Sequence, residues 1–374
     1  MAVYQPKTSY SDTTPQRRAI GDMIDVIDSS EVPGVKFFGL DGAPSKFRIV
    51  NWPSTKVEWL EDELAPLTDA LNGSITSDAT TITVVDGSKF KPGDVALIHA
   101  EYIWVSAANT STNVITATRD FGGTQATHAD AAVVTIVSNA RLEGADADYG
   151  RAMVDIAAPY NYTQIFQDDV RVTRTQDKMS QYGIDNEYDY QVAKRFKEQL
   201  RLMNKSLYVG IRGAGSATTP RSMGGLETFI TDNTSSLSSA ALTQKALEDA
   251  IQSAWEDGGT PDTILCNGWV KRKISSFYAP HVRTERSEKR GGVMIDYVDT
   301  EFGTLQIVMD RWCPSSKLYI VSAEYVGFLA FEPFFDEELA KTGDSRKGQV
   351  VGEYTLVAKN DKAHALISSI STSS

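Results

Sequence analysis

Apolar positions recur at helical spacing over one long stretch of the chain. Tyr188, Val192, Phe196, Leu200, Met203, Leu207 and Ile211 step by 4, 4, 4, 3, 4 and 4. That stripe lies along one side of a helix, and it predicts a helix from about Asp185 to Ile211 with Tyr188, Val192, Phe196, Leu200, Met203 and Leu207 as its core face. Such a helix is roughly 40 Å long. Asp185 is its expected N-cap, with Glu187 in the first turn complementing the helix dipole. Gly213 and Gly215 are its expected stop. Lys194, Arg195, Lys197, Arg201 and Lys205 decorate the other side. That basic side reads as a solvated surface, with contact to an acidic neighbour or nucleic acid as the alternative.

Elsewhere the pattern is shorter. Ile20, Met23, Ile24 and Ile27 mark a brief amphipathic helix within residues 1–44, a stretch punctuated by Pro6, Pro15, Pro33 and Pro44. So short a stripe does not hold itself together and needs a body or a neighbour to lie on. FRIVNWPSTKVEW, from Phe47, is rich in strand formers, and Pro53 restricts it to an edge or a bulge. Glu61, Asp62 and Glu63 follow. They lack the spacing of a calcium loop and read as a solvated tip. Residues 74–137 alternate short β runs with turns at Asp86-Gly87, Pro92-Gly93-Asp94 and Gly122-Gly123, which predicts a small barrel or sandwich. A second acidic cluster, Glu143, Asp146 and Asp148, precedes the strand-like APYNYTQIFQDDVRVTRT. Residues 45–73 and 138–166 are thus two arms of one excursion with the β module at its outer end.

Residues 223–331 alternate helix and strand. Thr243 caps a helix carrying Leu247, Ile251 and Trp255, PDTILCN is a short buried strand, and GWVKRKISSFYA forms a second helix. A charged loop at 281–292 and four β runs complete an α/β unit with a mixed sheet. QVVGEYTLVAK and KAHALISSIS, joined at Asn360-Asp361, predict a closing β-hairpin.

The length of 374 residues allows two or three domains. With 41% hydrophobic and 23% charged residues the composition is globular. A net charge of −12 is opposite to that of a duplex-wrapping protein, whose affinity comes from Lys and Arg. No run of about 18 apolar residues predicts a membrane helix, and the polar N-terminal segment shows no secretory signal, so the protein is expected to fold where it is made. Cys266 and Cys313 lie 47 positions apart and read as buried reduced thiols. His99, His128, His281 and His364 are scattered. His99 is two residues from Glu101 and His128 two from Asp130, and a metal site needs both pairs to converge. HExxH, GxSxG and the phosphate-binding GxxxxGK[ST] are missing. GIRGAGSATTPRSMGG follows a helix, not a strand, and reads as a helix stop. No catalysis, cofactor or metal is expected.

The order of segments is more informative than any one motif. SYSDTTPQRRAIGDMIDVID in the arm, RDFGGTQATHADAAVV in the β module, RLEGADA after it, YNYTQIFQDDVRVTRT before the long helix, then WEDGGTPDTILCN, YVDTEFGTLQIVMDRWCP and GEYTLVAKNDKAHALI together resemble the major capsid proteins of tailed bacteriophages with the Hong Kong 97 fold. The resemblance is to the branch whose extended loop carries a β-rich insertion. It implies an α+β fold: an N-terminal arm (1–44), an extended loop (45–73 and 138–166), an insertion domain (74–137), a peripheral domain with the spine helix (167–222 and 332–374) and an axial domain (223–331). No scaffolding segment is recognised, so any scaffold is expected to be separate or already removed, and no Lys–Asn cross-link is assigned.

The resemblance further implies a non-enzymatic shell subunit of the virion. It assembles in the host bacterial cytoplasm through hexamers and pentamers into an icosahedral shell around packaged double-stranded DNA, contacted non-specifically. Portal, scaffold and decoration proteins are the other partners it implies, with no membrane. Ile20, Ile24, Phe37, Phe38, Trp52 and Trp59 are expected to be exposed apolar contacts between copies. Glu61, Asp62, Glu63 and Glu143, set against Arg283, Arg286 and Arg290, are expected to set register. The charged loop at 281–292 then faces the capsomer axis. An encapsulin-like compartment, a tail or fibre binding module using the β module, and a cytoplasmic hydrolase are the alternatives.

Overall fold

The computed structural model describes residues 31–40, 53–144, 154–179, 184–278, 297–341 and 343–372. The short helix expected at 20–27 and the charged loop at 281–292 lie outside them. The chain divides into two compact units, Met1–Trp59 with Tyr160–Ser374, and Leu60–Pro159. The first opens with a helical turn, α1 (Pro33–Val35), which continues as a wider π-type turn over Lys36–Leu40, and with a short strand, β1 (Lys56–Glu58).

The second unit is a six-stranded antiparallel sheet built from β2 (Thr68–Ala70), β3 (Thr81–Thr83), β4 (Asp94–Ile98), β5 (Glu101–Asn109), β6 (Val114–Thr118) and β7 (Val133–Asn139). The strands lie in the order β2-β7-β4-β5-β6-β3. The outer strands then meet: Leu71 bridges Val84, Asn72 N–H donates to the Thr83 carbonyl (3.0 Å) and Val85 N–H to that of Ala70 (3.0 Å). The sheet therefore closes into a barrel, which removes its edges. Alternation points Ile82, Ile98, Ile103, Val105, Ile115 and Val134 inward, each fully buried. The sheet draws in Thr68–Ala70 and runs on to Asn139, beyond the expected limits of 74 and 137. Thr68–Ala70 pair with Val133–Thr135, and Ser138 and Asn139 pair with Val95 and Asp94, so strand pairing and not composition sets the boundary.

The first unit resumes with β8 (Tyr160–Tyr162), which pairs antiparallel with β1, then β9 (Gln164–Thr173), a short α2 (Arg174–Lys178) and the long α3 (Glu187–Val209). Asn186, not Asp185, caps α3. Its Oδ1 accepts from Tyr188 N–H (3.1 Å) and Asp189 N–H (3.4 Å). Gly210 ends the helix, ahead of Gly213, because the chain folds back against it: a Cβ there would stand 2.6 Å from the Met223 carbonyl oxygen. Tyr188, Met203 and Leu207 are buried as expected, while Val192 and Leu200 are half-buried and Phe196 is 38% exposed. Phe196 is thus not a core residue and only meets Phe334 edge-on, at 5.4 Å between ring centroids. The cause is uneven cover. The N-terminal half of α3 packs on a three-stranded sheet, with short α2 also touching the helix, whereas the C-terminal half is enclosed by α1 and α4 (Leu226–Phe229), which buries Asn204 and Tyr208 on the side expected to be solvated.

Next come β10 (Thr234–Ser236), α5 (Gln244–Glu256), β11 (Thr263–Cys266), α6 (Gly268–Tyr278), β12 (Tyr297–Thr300), β13 (Gly303–Met309), β14 (Leu318–Val321), β15 (Val326–Leu339), β16 (Ser345–Ala358) and β17 (Ala365–Ser368). Thr243 caps α5 through Ala246 N–H (3.2 Å). One mixed sheet has the order β10-β17-β14-β11-β13-β12, and the three-stranded sheet under α3 has the order β15-β16-β9. Leu247, Ile251, Ile264, Val270, Ile274, Leu305 and Ile320 form the core between the mixed sheet and α5 and α6. The expected closing hairpin does not form. β16 pairs with β15 and β9, whereas β17 pairs with β14 and β10 in the other sheet. Residues 365–368 thus belong to the mixed sheet, and β15 begins at Val326, inside the stretch assigned to the α/β unit. Asn360, with φ +56°, turns the chain from one sheet to the other.

His364 secures that crossing. It is fully buried, its Nδ1 accepts from Ser322 N–H (3.2 Å) and its Nε2 donates to the Lys359 carbonyl (3.0 Å). Burial pushes its pKa down to about 4, against the Lys359 carbonyl and Asp361, which act the other way. The folded state therefore holds His364 neutral, and the unfolded chain binds the extra proton as pH falls below about 6.5. Stability from this residue is fully present above that pH and falls by about 3 kcal/mol as pH drops to 4. Urea unfolding of the unassembled subunit at pH 7, 5 and 4 measures it, and His364→Gln is expected to flatten the dependence in that window.

Candidate assembly contacts

The arm enters the first unit at a built socket. Val32, Val35 and Phe38 are buried in a core with Met203, Leu207 and Tyr208. Two backbone donors of the arm are taken by buried side chains: Val35 N–H donates to Asn204 Oδ1 (2.9 Å) and Gly34 N–H to Asp310 Oδ2 (3.3 Å). Asp310 is fully buried. It also accepts from Asn204 Nδ2 (2.6 Å), Tyr208 OH (2.8 Å) and Trp312 N–H (2.8 Å). A carboxylate so supplied with donors tolerates burial. Burial first, then the adjoining carboxylate, raises the Tyr208 phenol well above its ordinary range. A Cβ on Gly34 would stand 2.7 Å from Leu207 Cδ2, so only glycine lets the arm backbone approach α3 this closely. Trp312 Nε1–H donates to the Glu31 carbonyl (3.2 Å), and Lys205 Nζ lies 4.7 Å from the Trp312 ring centroid. These groups give the arm a fixed root.

The excursion has a root as well. Fully buried Asn161 in β8 donates through Nδ2 to the Gly224 (3.1 Å) and Leu356 (2.7 Å) carbonyls and accepts Gly224 N–H (2.8 Å). Tyr160 is held between Lys56 Nζ, 4.3 Å from its ring centroid, and the Arg212 guanidinium, 4.4 Å away. Trp59 is buried and meets Phe229 at 5.6 Å between ring centroids.

These contacts correct part of the sequence reading. Phe38 and Trp59 are buried in the subunit's own core, and Phe37 is half-buried against Phe38. They are therefore not exposed contacts, because α1 and β1 fold onto the first unit instead of leading away from it. Ile20, Ile24, Trp52, Arg283, Arg286 and Arg290 lie outside the described residues. Asp62, Glu63 and Glu143 are exposed and Glu61 is half-buried. Glu61 exchanges both backbone hydrogen bonds with Ala157 (2.9 Å each), which ties the two arms of the excursion together.

Several exposed apolar residues lie on those arms. Leu60 is 73%, Leu64 94%, Leu142 72% and Ile156 59% exposed. These four side chains leave apolar surface uncovered in the single subunit.

Inside the barrel, side chains distant in sequence form an ion cluster. Glu101 Oε1 accepts from Arg119 Nε (2.5 Å). Its Oε2 accepts from Arg119 Nη2 (2.6 Å) and Ala126 N–H (3.0 Å) and lies 2.8 Å from His128 Nε2. Arg119 also donates to the Thr76, Ala79 and Ala126 carbonyls. His99 stacks on His128 with its Nδ1 3.2 Å from the other Nδ1. Burial pushes the Glu101 pKa up, but the hydrogen bonds from Arg119, His128 and the Ala126 N–H outweigh it and bring the pKa down to about 2. The His99–Glu101 and His128 segments therefore do converge, as a salt-bridged lock for the barrel end. Asp130 turns away to accept Gly73 N–H (2.7 Å). Among the described residues no group of three or more His, Cys, Asp or Glu is arranged to hold a metal ion, and no helix is long and apolar enough to cross a membrane.

A rooted arm, a spine helix over a three-stranded sheet, a mixed α/β unit and a long excursion define the class: a capsid shell subunit of the Hong Kong 97 type. The fold is shared with the cyanophage A-1(L) capsid (TM-score 0.55, 12% identity, 97% of this chain and 99% of that one). It is also shared with the capsid of a native GTA particle (0.53, 7%, 99% and 100%) and with mycobacterium phage Cain (0.50, 12%, 97% and 98%). The chain belongs to the SU10 major capsid protein family, whose model matches residues 7–371. No curated protein matches.

Proposed function

We propose that this major capsid protein assembles through hexamers and pentamers into an icosahedral shell in the bacterial cytoplasm. The shell encloses double-stranded DNA without reading its sequence, and the subunit does no catalysis. The observation that carries this reading is the ribbon bearing Leu60, Leu64, Leu142 and Ile156, which is rooted through Asn161 and exposed in the single subunit. A neighbouring copy that covers those side chains supplies the hydrophobic stabilisation they lack alone. Around a capsomer such heterologous contacts close into rings, and many modest ones sum by multivalency. The other side of the contact is assigned to the three-stranded sheet, whose face away from α3 leaves Ile165 and Phe335 exposed. Portal, scaffold and decoration proteins are the further partners of such a shell.

The test is the double substitution Leu60→Asp/Leu64→Asp, read by negative-stain electron microscopy. The wild-type chain is expected to give closed shells or rings of five and six. The variant is expected to keep the subunit's thermal unfolding and give neither. Normal shells from the variant would remove the ribbon from the assembly contacts.

A further inference from the structure

The barrel has two unlike walls. Its β3-β6 side turns hydroxyls outward: Thr81, Thr116, Thr118 and, on the adjoining stretch of β5, Ser106 are all exposed. That is ordinary solvated β surface. The wall formed by β7, β4 and the start of β5 differs. Thr135 of β7 lies opposite Leu97 of β4, and Leu97 opposite Tyr102 of β5. Phe121 continues the row, its N–H bonded to the Tyr102 carbonyl (3.2 Å). Val133 shares the Thr135 face of β7 by alternation, and Val137 is the extra residue of a bulge opposite Val95 and Ala96. Val133 is 58%, Val137 53%, Phe121 50% and Tyr102 37% exposed. The same barrel has its own buried cluster, including Ile82, Ile98, Ile103 and Ile115, so these residues are not misplaced core.

We propose that this wall is a second contact between copies of this chain, distinct from the leucine ribbon. Two features select a copy as the occupant. The first is continuity: β7 leads directly to Leu142, and Leu64 and Leu67 lead directly into β2, its neighbour in the sheet. The apolar wall therefore extends the surface already assigned to a neighbouring copy, and the inference rests on that assignment. The second is charge. Residues 60–159 hold fourteen acidic and five basic side chains, a net charge of −9, yet the wall itself carries none. A domain so acidic repels its own copies wherever charges face each other, and an uncharged wall is the part that two copies can bring together without desolvating a carboxylate.

Single cysteines test this, since Cys266 and Cys313 are buried. Val137→Cys, Thr116→Cys and Leu64→Cys are labelled with a polyethylene-glycol maleimide in unassembled subunits and in closed shells. Val137→Cys and Leu64→Cys are expected to react at least tenfold more slowly in shells, and Thr116→Cys equally fast in both. Val137→Cys reacting equally fast in both states while Leu64→Cys is protected would overturn the wall contact and leave the ribbon reading intact. Both reacting freely in closed shells would overturn both. A second variant, Val137→Glu, is expected to leave thermal unfolding of the subunit unchanged and to prevent closed shells; normal shells from it would equally sink the proposal.

Discussion

Asp310→Ala is expected to destabilise the unassembled subunit by about 3–5 kcal/mol, because it strands buried donors that have nowhere else to go. Gly34 N–H, Asn204 Nδ2, Tyr208 OH and Trp312 N–H all point at this one carboxylate. The loss also loosens the arm root, since the Gly34 N–H bond to Asp310 is one of the two backbone N–H bonds that hold the arm there, beside that of Val35 to Asn204. Urea unfolding measures the stability, and limited proteolysis between residues 31 and 40 measures the root: cleavage there is expected in the variant and not in the wild type. Asn204→Ala removes only two of the socket's bonds and is expected to cost less, about 1–3 kcal/mol. Equal stability of Asp310→Ala and the wild type would show that the socket is decoration on a core that holds the arm by itself.

Glu101→Ala is expected to cost the barrel about 3–5 kcal/mol, because Arg119 is left as a buried charge without its counter-ion. The two side chains are almost fully shielded from solvent. The informative variant is the pair Glu101→Leu/Arg119→Met, which removes both charges together and is expected to be more stable than either single change, since a buried ion pair contributes little beyond an apolar pair of similar size. Differential scanning calorimetry of the subunit reads all three. A double variant less stable than both singles would mean that the Arg119 bonds to the Thr76, Ala79 and Ala126 carbonyls, and not the ion pair, close the barrel.

Much of the fold was legible. The long helix, the mixed α/β unit and the β module between two arms were each carried by local periodicity: a 3.6-residue stripe from Tyr188, alternating runs from Thr81, and turn pairs such as Asp86-Gly87. The contact surfaces were less legible. Phe38 and Trp59 look like exposed aromatics in sequences with too few local partners to bury them, yet both are covered by residues far along the chain, Phe38 by the α3 core and Trp59 by Phe229. Conversely Leu64 and Val137 look like ordinary strand residues and are exposed. Asp310 and Asn161 gave no signal, and Glu101 stood out only beside His99 as half of a metal pair, because a lone acid or amide is defined as a buried anchor only by the donors and acceptors around it, and most of these are distant: Gly224 and Leu356 for Asn161, and Gly34, Asn204 and Tyr208 for Asp310. The closing hairpin failed for the same kind of reason. A turn at Asn360 specifies a change of direction, and only sheet partners decide whether the next strand pairs with the last one.

The sequence by itself determined element types and their order, since these follow from the spacing of apolar residues and from turn chemistry within a few positions. It also determined the capsid family, because that order persists over nearly the whole chain. Tertiary structure alone decided which apolar side chains are core and which await another copy, how the barrel closes, and which polar groups root the arm and the excursion. Burial is a property of all the neighbours a residue acquires, and most of those neighbours are distant in sequence.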